Sequence, residues 1–211
     1  MEDKTTAVTF TFRDFFGPMA KVWPAMAVIA VILILAQLEM LGFGIAETLR
    51  YTDNQPGYRW LTAHYVHLGA NHALMNVAAA LMLMRIFRDV WERWHWWVLA
   101  IVMPTSICAT FYVVDYNLSW YVGLSGALHG WFAWCCVLLW KREKGFVFIG
   151  VIGLLLKLGI EHYYPSSLPS EDMIGGSVIT LAHRLGALYG LIFALLAVVI
   201  AGYKFNKEKL L

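Results

Sequence analysis

The chain has 211 residues, of which 60% are hydrophobic and only 14% are charged. Soluble domains carry about 25% charged residues, so the composition indicates a membrane protein. It excludes a disordered chain, a collagen and a soluble nucleic-acid-binding protein. The formal net charge of +2 is nearly balanced, so the placement of the charges is more informative than their sum. The three cysteines lie in apolar runs and predict no disulfide framework.

Six apolar runs follow one another along the chain, at residues 22–41, 71–87, 96–114, 124–140, 146–160 and 177–203. In lipid such runs must be helical, because only a helix satisfies its own backbone hydrogen bonds there. The first run lacks a following cleavage site and is predicted to be retained as a span. The sequence therefore predicts an all-α membrane protein with six transmembrane helices and a single domain over residues 1–211.

Lysine and arginine are concentrated on one side of these runs. The N-terminal segment 1–21, the second loop, the fourth loop and the tail 204–211 each carry three such residues, counting those at the loop edges, whereas the first loop carries two. Cytoplasmic loops of membrane proteins are rich in Lys and Arg. The segment 1–21 and the tail 204–211 are therefore both predicted to be cytoplasmic.

Polar and small residues of catalytic type open three separate runs at the opposite, external face. Polar groups within a bilayer are costly, so each one suggests a function. At about 1.5 Å of rise per residue, the serine of the fourth run lies roughly 6 Å below the outer edge of a hydrocarbon core about 30 Å thick. The three runs are thus expected to share one recessed site. Its members are His67, His72 and Asn76 near the second run, Gly123, Ser125 and Gly126 at the fourth, and His183 in the sixth.

These residue types suit acyl transfer. Ser125 becomes a nucleophile when a base removes its proton, and a neutral His183 could take that proton and return it to a leaving amine. Ser125 also begins a predicted helix, whose free N–H groups favour an oxyanion. Asn76 and His72, four residues apart on one helix face, could donate to the same oxyanion. No Asp or Glu evidently orients His183, so a Ser–His dyad is predicted rather than a triad.

The motifs His72-x-x-x-Asn76, Gly123-x-Ser125-Gly126 and Ala182-His183-x-x-Gly186-x-x-x-Gly190 together resemble the rhomboid intramembrane serine proteases. The resemblance spans residues 58–190 in the family's order. It implies a six-helix rhomboid bundle without a cofactor, Ser125 as nucleophile, His183 as base, and Asn76 with His72 as oxyanion-hole donors. It also implies that His67 faces the cavity and that the last two glycines serve helix packing.

Two further stretches, residues 121–130 (YVGLSGALHG) and 157–161 (KLGIE), resemble the rhombosortase branch of that family. This resemblance implies a bacterial inner-membrane protein whose active site opens toward the periplasm. It implies transmembrane protein substrates with a C-terminal Gly-Gly tail ahead of an anchoring helix and a basic cluster. Glycine destabilises a helix, which would let such a segment extend into the serine cleft.

Several residues allow more than one interpretation. His129, one turn after Ser125, is either an internal hydrogen-bonding residue or a rival base. Lys157 and Glu161 are expected to form a snorkelling ion pair at the end of the fifth run, or else to recognise the substrate tail or a lipid headgroup. No metal is predicted, because His64, His67 and His72 lack the His-Glu-x-x-His arrangement.

Other functions stay open at this stage. A general rhomboid protease with other substrates and an inactive rhomboid-like protein that binds membrane helices both fit the motifs. A small transporter fits less well, because the chain shows no pair of interrupted segments in corresponding halves. Expected partners are transmembrane proteins and membrane lipid, with no nucleic acid. The oligomeric state and the choice between hydrolysis and transfer to another amine are left open.

Overall fold

The computed structural model describes residues 11–53, 57–114, 116, 118–164 and 169–208. Residues 1–10 of the predicted N-terminal segment and 209–211 of the predicted tail lie outside this range. The described helices, in chain order, are α1 Phe12–Phe16, α2 Met19–Met40, α3 Ile45–Leu49, α4 Arg59–Thr62, α5 Ala70–Ile86, α6 His95–Trp97, α7 Met103–Val113, α8 Ser125–Leu139, α9 Lys144–Tyr163, α10 Pro169–Ile174 and α11 Thr180–Glu208. A π-helical segment, Val98–Val102, joins α6 to α7 without a break.

All six predicted runs are helical, and four of these helices are long and apolar enough to cross a membrane. The four are α2, the continuous helix His95–Val113, α9, and residues Thr180–Ala201 of α11. The other two are shorter, with 17 residues in α5 and 15 in α8. The molecule is thus a mostly helical integral membrane protein. Six spans and cytoplasmic termini remain predictions.

Loops that the charge pattern assigns to the same side lie together in the fold. At the start of α2, Lys21 forms an ion pair with Glu92 in the loop after α5. Beyond the other end of α2, Tyr51 and Tyr121 exchange backbone hydrogen bonds of 3.0 and 3.1 Å, which join the first loop to the segment before α8. The two groups of loops are therefore separated by the length of α2, as alternating spans require.

Helix α8 is the most enclosed helix of the bundle and packs most extensively against α11. Their backbones touch at two levels. A Cβ atom added to Gly186 would overlap the carbonyl oxygen of Gly126, and one added to Gly190 would overlap that of Gly130. Small residues allow this close approach of membrane helices, in agreement with the packing role predicted for Gly186 and Gly190. The contact holds the first turns of α8 and α11 side by side.

Helix α9 is far less enclosed than α8. Only Val147 and Glu161 are buried among its 20 residues, and most of its other apolar side chains face outward, as expected for a helix that borders lipid. The predicted fifth run ended at residue 160, whereas the helix continues to Tyr163 and carries Glu161 within it. A buried carboxylate on an otherwise peripheral helix calls for a partner, because an unpaired buried charge is strongly unfavourable.

Candidate active site

Ser125 and His183 lie next to each other although 58 residues separate them in the chain. Ser125 is the first residue of α8, and His183 lies in the first turn of α11. The Oγ atom of Ser125 and the Nε2 atom of His183 are 2.8 Å apart, a hydrogen-bond distance. The pair thus has the geometry in which an imidazole can accept the proton of a serine hydroxyl.

Glu161 completes this arrangement from the side of α9. Its Oε2 atom is 2.8 Å from Nδ1 of His183. A carboxylate only accepts hydrogen bonds, so Nδ1 carries the proton and the lone pair of Nε2 faces Ser125. The prediction that no carboxylate orients His183 is therefore wrong. The sequence predicts Glu161 at an exposed helix end, whereas the side chain turns inward and the residue is only 5% exposed.

Lys157 and Glu161 form the ion pair that their i, i+4 spacing predicts. The two side chains differ in environment, since that of Lys157 is 49% exposed and that of Glu161 is 7% exposed. Snorkelling toward water therefore describes Lys157 alone. The two carboxylate oxygens of Glu161 have different partners, with Oε1 accepting from Lys157 and Oε2 from His183.

His72 and Asn76 are buried on one face of α5 and line the same cavity as Ser125. The backbone N–H of Leu68 donates to Nδ1 of His72 at 3.4 Å. This leaves the proton of a neutral imidazole on Nε2, which becomes a free donor. A Cβ atom added to Gly123 would lie 2.8 Å from this Nε2 atom, so the bare backbone of Gly123 leaves the space in front of the donor open.

Gly123 itself has a φ angle of +110°, a backbone conformation that favours glycine. Its N–H donates to the carbonyl of Ala63 at 2.9 Å, and its own carbonyl accepts from the Tyr121 hydroxyl at 2.8 Å. These bonds fix the segment that leads into Ser125. Gly126 follows Ser125 and, as described above, serves the contact with α11.

His67 lies between α4 and α5, and its ring meets that of His72 edge to face with centroids 4.8 Å apart. Neither ring nitrogen has a hydrogen-bond partner within the described part of the chain. Burial, and to a smaller extent the neighbouring His72, lower the pKa of His67 to about 3. His67 is therefore neutral at physiological pH. Its ring contacts His72 and not Ser125.

His129 lies above Ser125 on the same helix. Its Nδ1 atom donates to the carbonyl of Ser125 at 2.7 Å. Its ring stacks on that of His183 with centroids 4.1 Å apart and an angle of 17° between the planes. These contacts are those of an internal hydrogen-bonding residue that also holds the imidazole of His183 in place. The structure puts His183, not His129, against the Ser125 hydroxyl.

His67 is not among the residues that line the cavity beside Ser125, contrary to the expectation from the resemblance. The cavity has a volume of about 270 Å³ and is lined by Ser125, His183, His72, Asn76, His129, Lys157 and Glu161. The walls come from α5, α8, α9, α11 and the segments before α8 and α11, and they include bulky side chains such as Trp120, Met75 and Leu128. A second, apolar groove lies between α5 and α9 with α8 as its floor. The cavity and the groove share four lining residues, namely Ala79, Leu128, His129 and Lys157.

One group among the described residues has the spacing of a metal site: His129, Glu161 and His183 offer ligand atoms within 4.8 Å of one another. The hydrogen bonds of these residues oppose that use. Nδ1 of His183 is bound to Glu161, and Nδ1 of His129 is bound to the Ser125 carbonyl. The two imidazoles also lie nearly parallel, so their ring nitrogens do not converge on one point as the ligands of a tetrahedral ion do.

Sequence reasoning missed two contributions to the site. The position of Glu161 against His183 could have been suspected from a carboxylate within an apolar helix, because such a charge must find a partner. The role of Tyr121, which links Gly123 to the buried His64 ring, has no signal in the pattern. His64 packs against Tyr121 and Cys108, and it occupies the core rather than the cavity wall.

Comparison with known proteins agrees with the resemblance of the motifs. A family model described as Rhomboid domain matches residues 54–200. This range contains every residue of the cavity described above. No curated protein matches the chain.

Proposed function

Because the chain belongs to the rhomboid family, whose members are generally intramembrane serine proteases, we propose that it is an intramembrane serine endopeptidase. The observation that carries the proposal is the 2.8 Å contact between Ser125 Oγ and His183 Nε2, two side chains that line one cavity. An inactive rhomboid-like protein would have no need for a serine and an imidazole in bonding contact with the tautomer fixed.

In the proposed reaction, Ser125 Oγ attacks the scissile carbonyl carbon and a C–O bond forms. The hydroxyl proton moves to His183 Nε2, and the electron pair of the carbonyl π bond moves to its oxygen. The resulting oxyanion is stabilised by the Nε2–H of His72, the amide of Asn76 and the free N–H groups at the start of α8. The amide of Asn76 donates to the His72 carbonyl at 3.2 Å and would turn toward the oxyanion during the reaction.

The intermediate then collapses and the C–N bond breaks. His183 gives its proton to the leaving amine, and an acyl-enzyme ester on Ser125 remains. A water molecule attacks the ester while its proton passes to His183, and that proton returns to Ser125 when the ester bond breaks. Transfer of the acyl group to another amine would follow the same steps, with the amine in place of water.

Substrate is proposed to reach the serine from the lipid side. The groove between α5 and α9 is lined by side chains such as Met82 and Leu154 and meets the cavity at Lys157. An apolar helix can lie in such a groove without exposing polar backbone groups to lipid. A segment that unwinds next to it can enter the cavity, where polar groups are available.

We further propose that the chain belongs to the rhombosortase branch of the family. Its substrates would then carry a C-terminal tail with Gly-Gly ahead of an anchoring helix and a basic cluster. The motifs at residues 121–130 and 157–161 support the branch. The proposed tail suits this site because glycine destabilises a helix, which would let the segment extend toward Ser125. Lys157, at the junction of cavity and groove, is a proposed contact for the tail. The proposed location is a bacterial inner membrane, with the site open to the periplasm.

The test uses purified protein in liposomes with a Gly-Gly-tailed membrane substrate, and the variant Ser125→Ala. Cleavage is expected to fall to background in the variant, because the hydroxyl is lost. A fluorophosphonate probe is expected to label the wild type and not the variant. Cleavage by Ser125→Ala at the wild-type rate would refute the assignment of Ser125 as the nucleophile.

The same assay tests the branch through a second substrate, in which Leu-Leu replaces Gly-Gly at the cut. We expect much slower cleavage, because a helix without glycine at the cut is harder to unwind. Equal turnover of both tails would refute the rhombosortase assignment and leave the protease assignment intact. Labelling without cleavage of either tail would point to a rhomboid protease with other substrates.

A further inference from the structure

We propose that Glu161 is the third member of a Ser–His–Glu triad, in which it acts on catalysis by positioning His183, and that Lys157 sets the orientation of the side chain at position 161. This inference rests on the proposed protease function. It replaces the dyad that the motifs imply with an arrangement that has a carboxylate on a third helix.

The first argument is geometric. Ser125 Oγ, His183 and Glu161 Oε2 form a continuous chain of two hydrogen bonds, each of 2.8 Å. The carboxylate holds the proton on Nδ1, so that Nε2 is always the acceptor toward the serine. It also lies where the positive charge of an imidazolium develops during the attack. Both effects are those of the carboxylate in serine protease triads.

The second argument is burial. Glu161 is 5% exposed, and a buried carboxylate costs free energy unless it is paired and hydrogen-bonded. On α9 the only other buried residue is Val147, so packing of the helix does not require an acidic residue there. The contacts of Glu161 with Lys157 and His183 account for its position and direct the charge toward the imidazole.

The third argument concerns Lys157. Its ammonium can only donate hydrogen bonds, and it donates to Oε1 of Glu161. In the variant Glu161→Gln, the amide oxygen would be held by Lys157 and the amide nitrogen would face Nδ1 of His183. The imidazole would then have to accept at Nδ1 and carry its proton on Nε2, where it could not accept the proton of Ser125.

The experiment compares four proteins under the same conditions: wild type, Glu161→Gln, Lys157→Met and the double variant. Glu161→Gln is expected to lower kcat between about 10²- and 10⁴-fold with little change in KM, and to slow fluorophosphonate labelling by a similar factor. Lys157→Met is expected to lower kcat less than Glu161→Gln does. The double variant should recover at least about tenfold in kcat over Glu161→Gln, because the amide is free to turn its oxygen toward Nδ1.

A merely structural role would give a different pattern, because loss of packing or of the ion pair would make the double variant as poor as Glu161→Gln or worse. Glu47→Gln provides a matched control, since the Glu47 side chain is 79% exposed and far along the chain from the site. If Glu161→Gln does not accumulate as folded protein, the double variant is compared with Lys157→Met, because these two proteins differ only at position 161. The double variant is then expected to have a lower kcat than Lys157→Met at a similar KM.

A wild-type kcat in Glu161→Gln would overturn the proposal, and a double variant no more active than Glu161→Gln would overturn the part assigned to Lys157. Ser125→Ala in the same assay separates these outcomes from failure of the proposed function. If Ser125→Ala is inactive while Glu161→Gln cleaves normally, the protein is a protease without a triad. If Ser125→Ala cleaves normally, the protease proposal itself fails.

Discussion

Individual hydrogen bonds decide which nitrogen of each histidine can take part in the reaction. Leu68 donates to one nitrogen of His72, so the other carries the proton and is the donor in the proposed oxyanion hole. Glu161 accepts from one nitrogen of His183, so the other is the acceptor for Ser125. Two histidines of the same cavity therefore have opposite roles, and the neighbour of each ring sets its role. The hydrogen bonds that Leu68 and Glu161 make to these rings therefore belong to the site, as do the groups proposed to contact substrate.

Asn76→Ala tests the oxyanion hole at this scale. Loss of one donor to a developing oxyanion is expected to lower kcat about 10²- to 10³-fold with little effect on KM. Asn71→Ala is the matched control, because Asn71 is exposed at the start of the same helix. Cleavage by Asn76→Ala at the rate of Asn71→Ala would remove Asn76 from the oxyanion hole.

At the scale of helices, the contact between α8 and α11 fixes the distance between Ser125 and His183, the proposed nucleophile and base. Glycines at two levels bring the backbones together, and Ser125 and His183 lie in the first turns of the two helices. Protein interiors are packed as densely as crystals of small organic molecules, so even one added carbon atom changes the stability there. The glycines are thus structural residues with a direct effect on the geometry of the site.

Gly186→Ala tests this contact. Its Cβ would overlap the Gly126 carbonyl oxygen, and overpacking of this kind costs about 1–3 kcal/mol. We expect a lower Tm in detergent and slower labelling of Ser125 by fluorophosphonate. Gly159→Ala on α9 is the control, since nothing lies within 4 Å of its added Cβ, and its Tm should not fall. Equal Tm values for the two variants would contradict the contact.

The positions of the six apolar helices and the meeting of Ser125 with His183 could be predicted from sequence, because long apolar runs and three spaced motifs each carry a strong local signal. Whether the Glu161 side chain points into the bundle or out of it could not be predicted. Its position at i+4 from Lys157 is equally compatible with an exposed ion pair, and the choice depends on how α9 is rotated against α11. Rotation of a peripheral helix is set by tertiary packing, and the weak amphipathicity of an almost wholly apolar helix gives little indication of it.

For the whole molecule, the distribution of charge predicts which end of the bundle faces the cytoplasm. Loops with many Lys and Arg residues lie at the Lys21 end, and the serine cavity lies toward the Tyr51 end. If the positive loops are cytoplasmic, the cavity opens to the other side of the membrane. Such a protease would act on exported chains before they leave the membrane.

Single cysteines introduced at exposed positions test this orientation. In intact cells with a permeable outer membrane, an impermeant maleimide is expected to modify Tyr58→Cys and not Lys141→Cys, and after lysis it should modify both. The native Cys108, Cys135 and Cys136 are buried and provide a low background. Modification of Lys141→Cys alone in intact cells would reverse the topology and place the cavity on the cytoplasmic side.

In the proposed triad the carboxylate of Glu161 lies on a different helix from Ser125 and His183, and this separation has a consequence for selectivity. Ser125 and His183 are fixed to each other by helices in backbone contact, whereas Glu161 belongs to the peripheral α9, which also forms one wall of the groove. Any outward displacement of α9 that widens the groove would withdraw Glu161 from the imidazole. Reactivity would then be lowest while a chain is entering and full only after α9 returns, so that a segment that dissociates quickly would escape uncut.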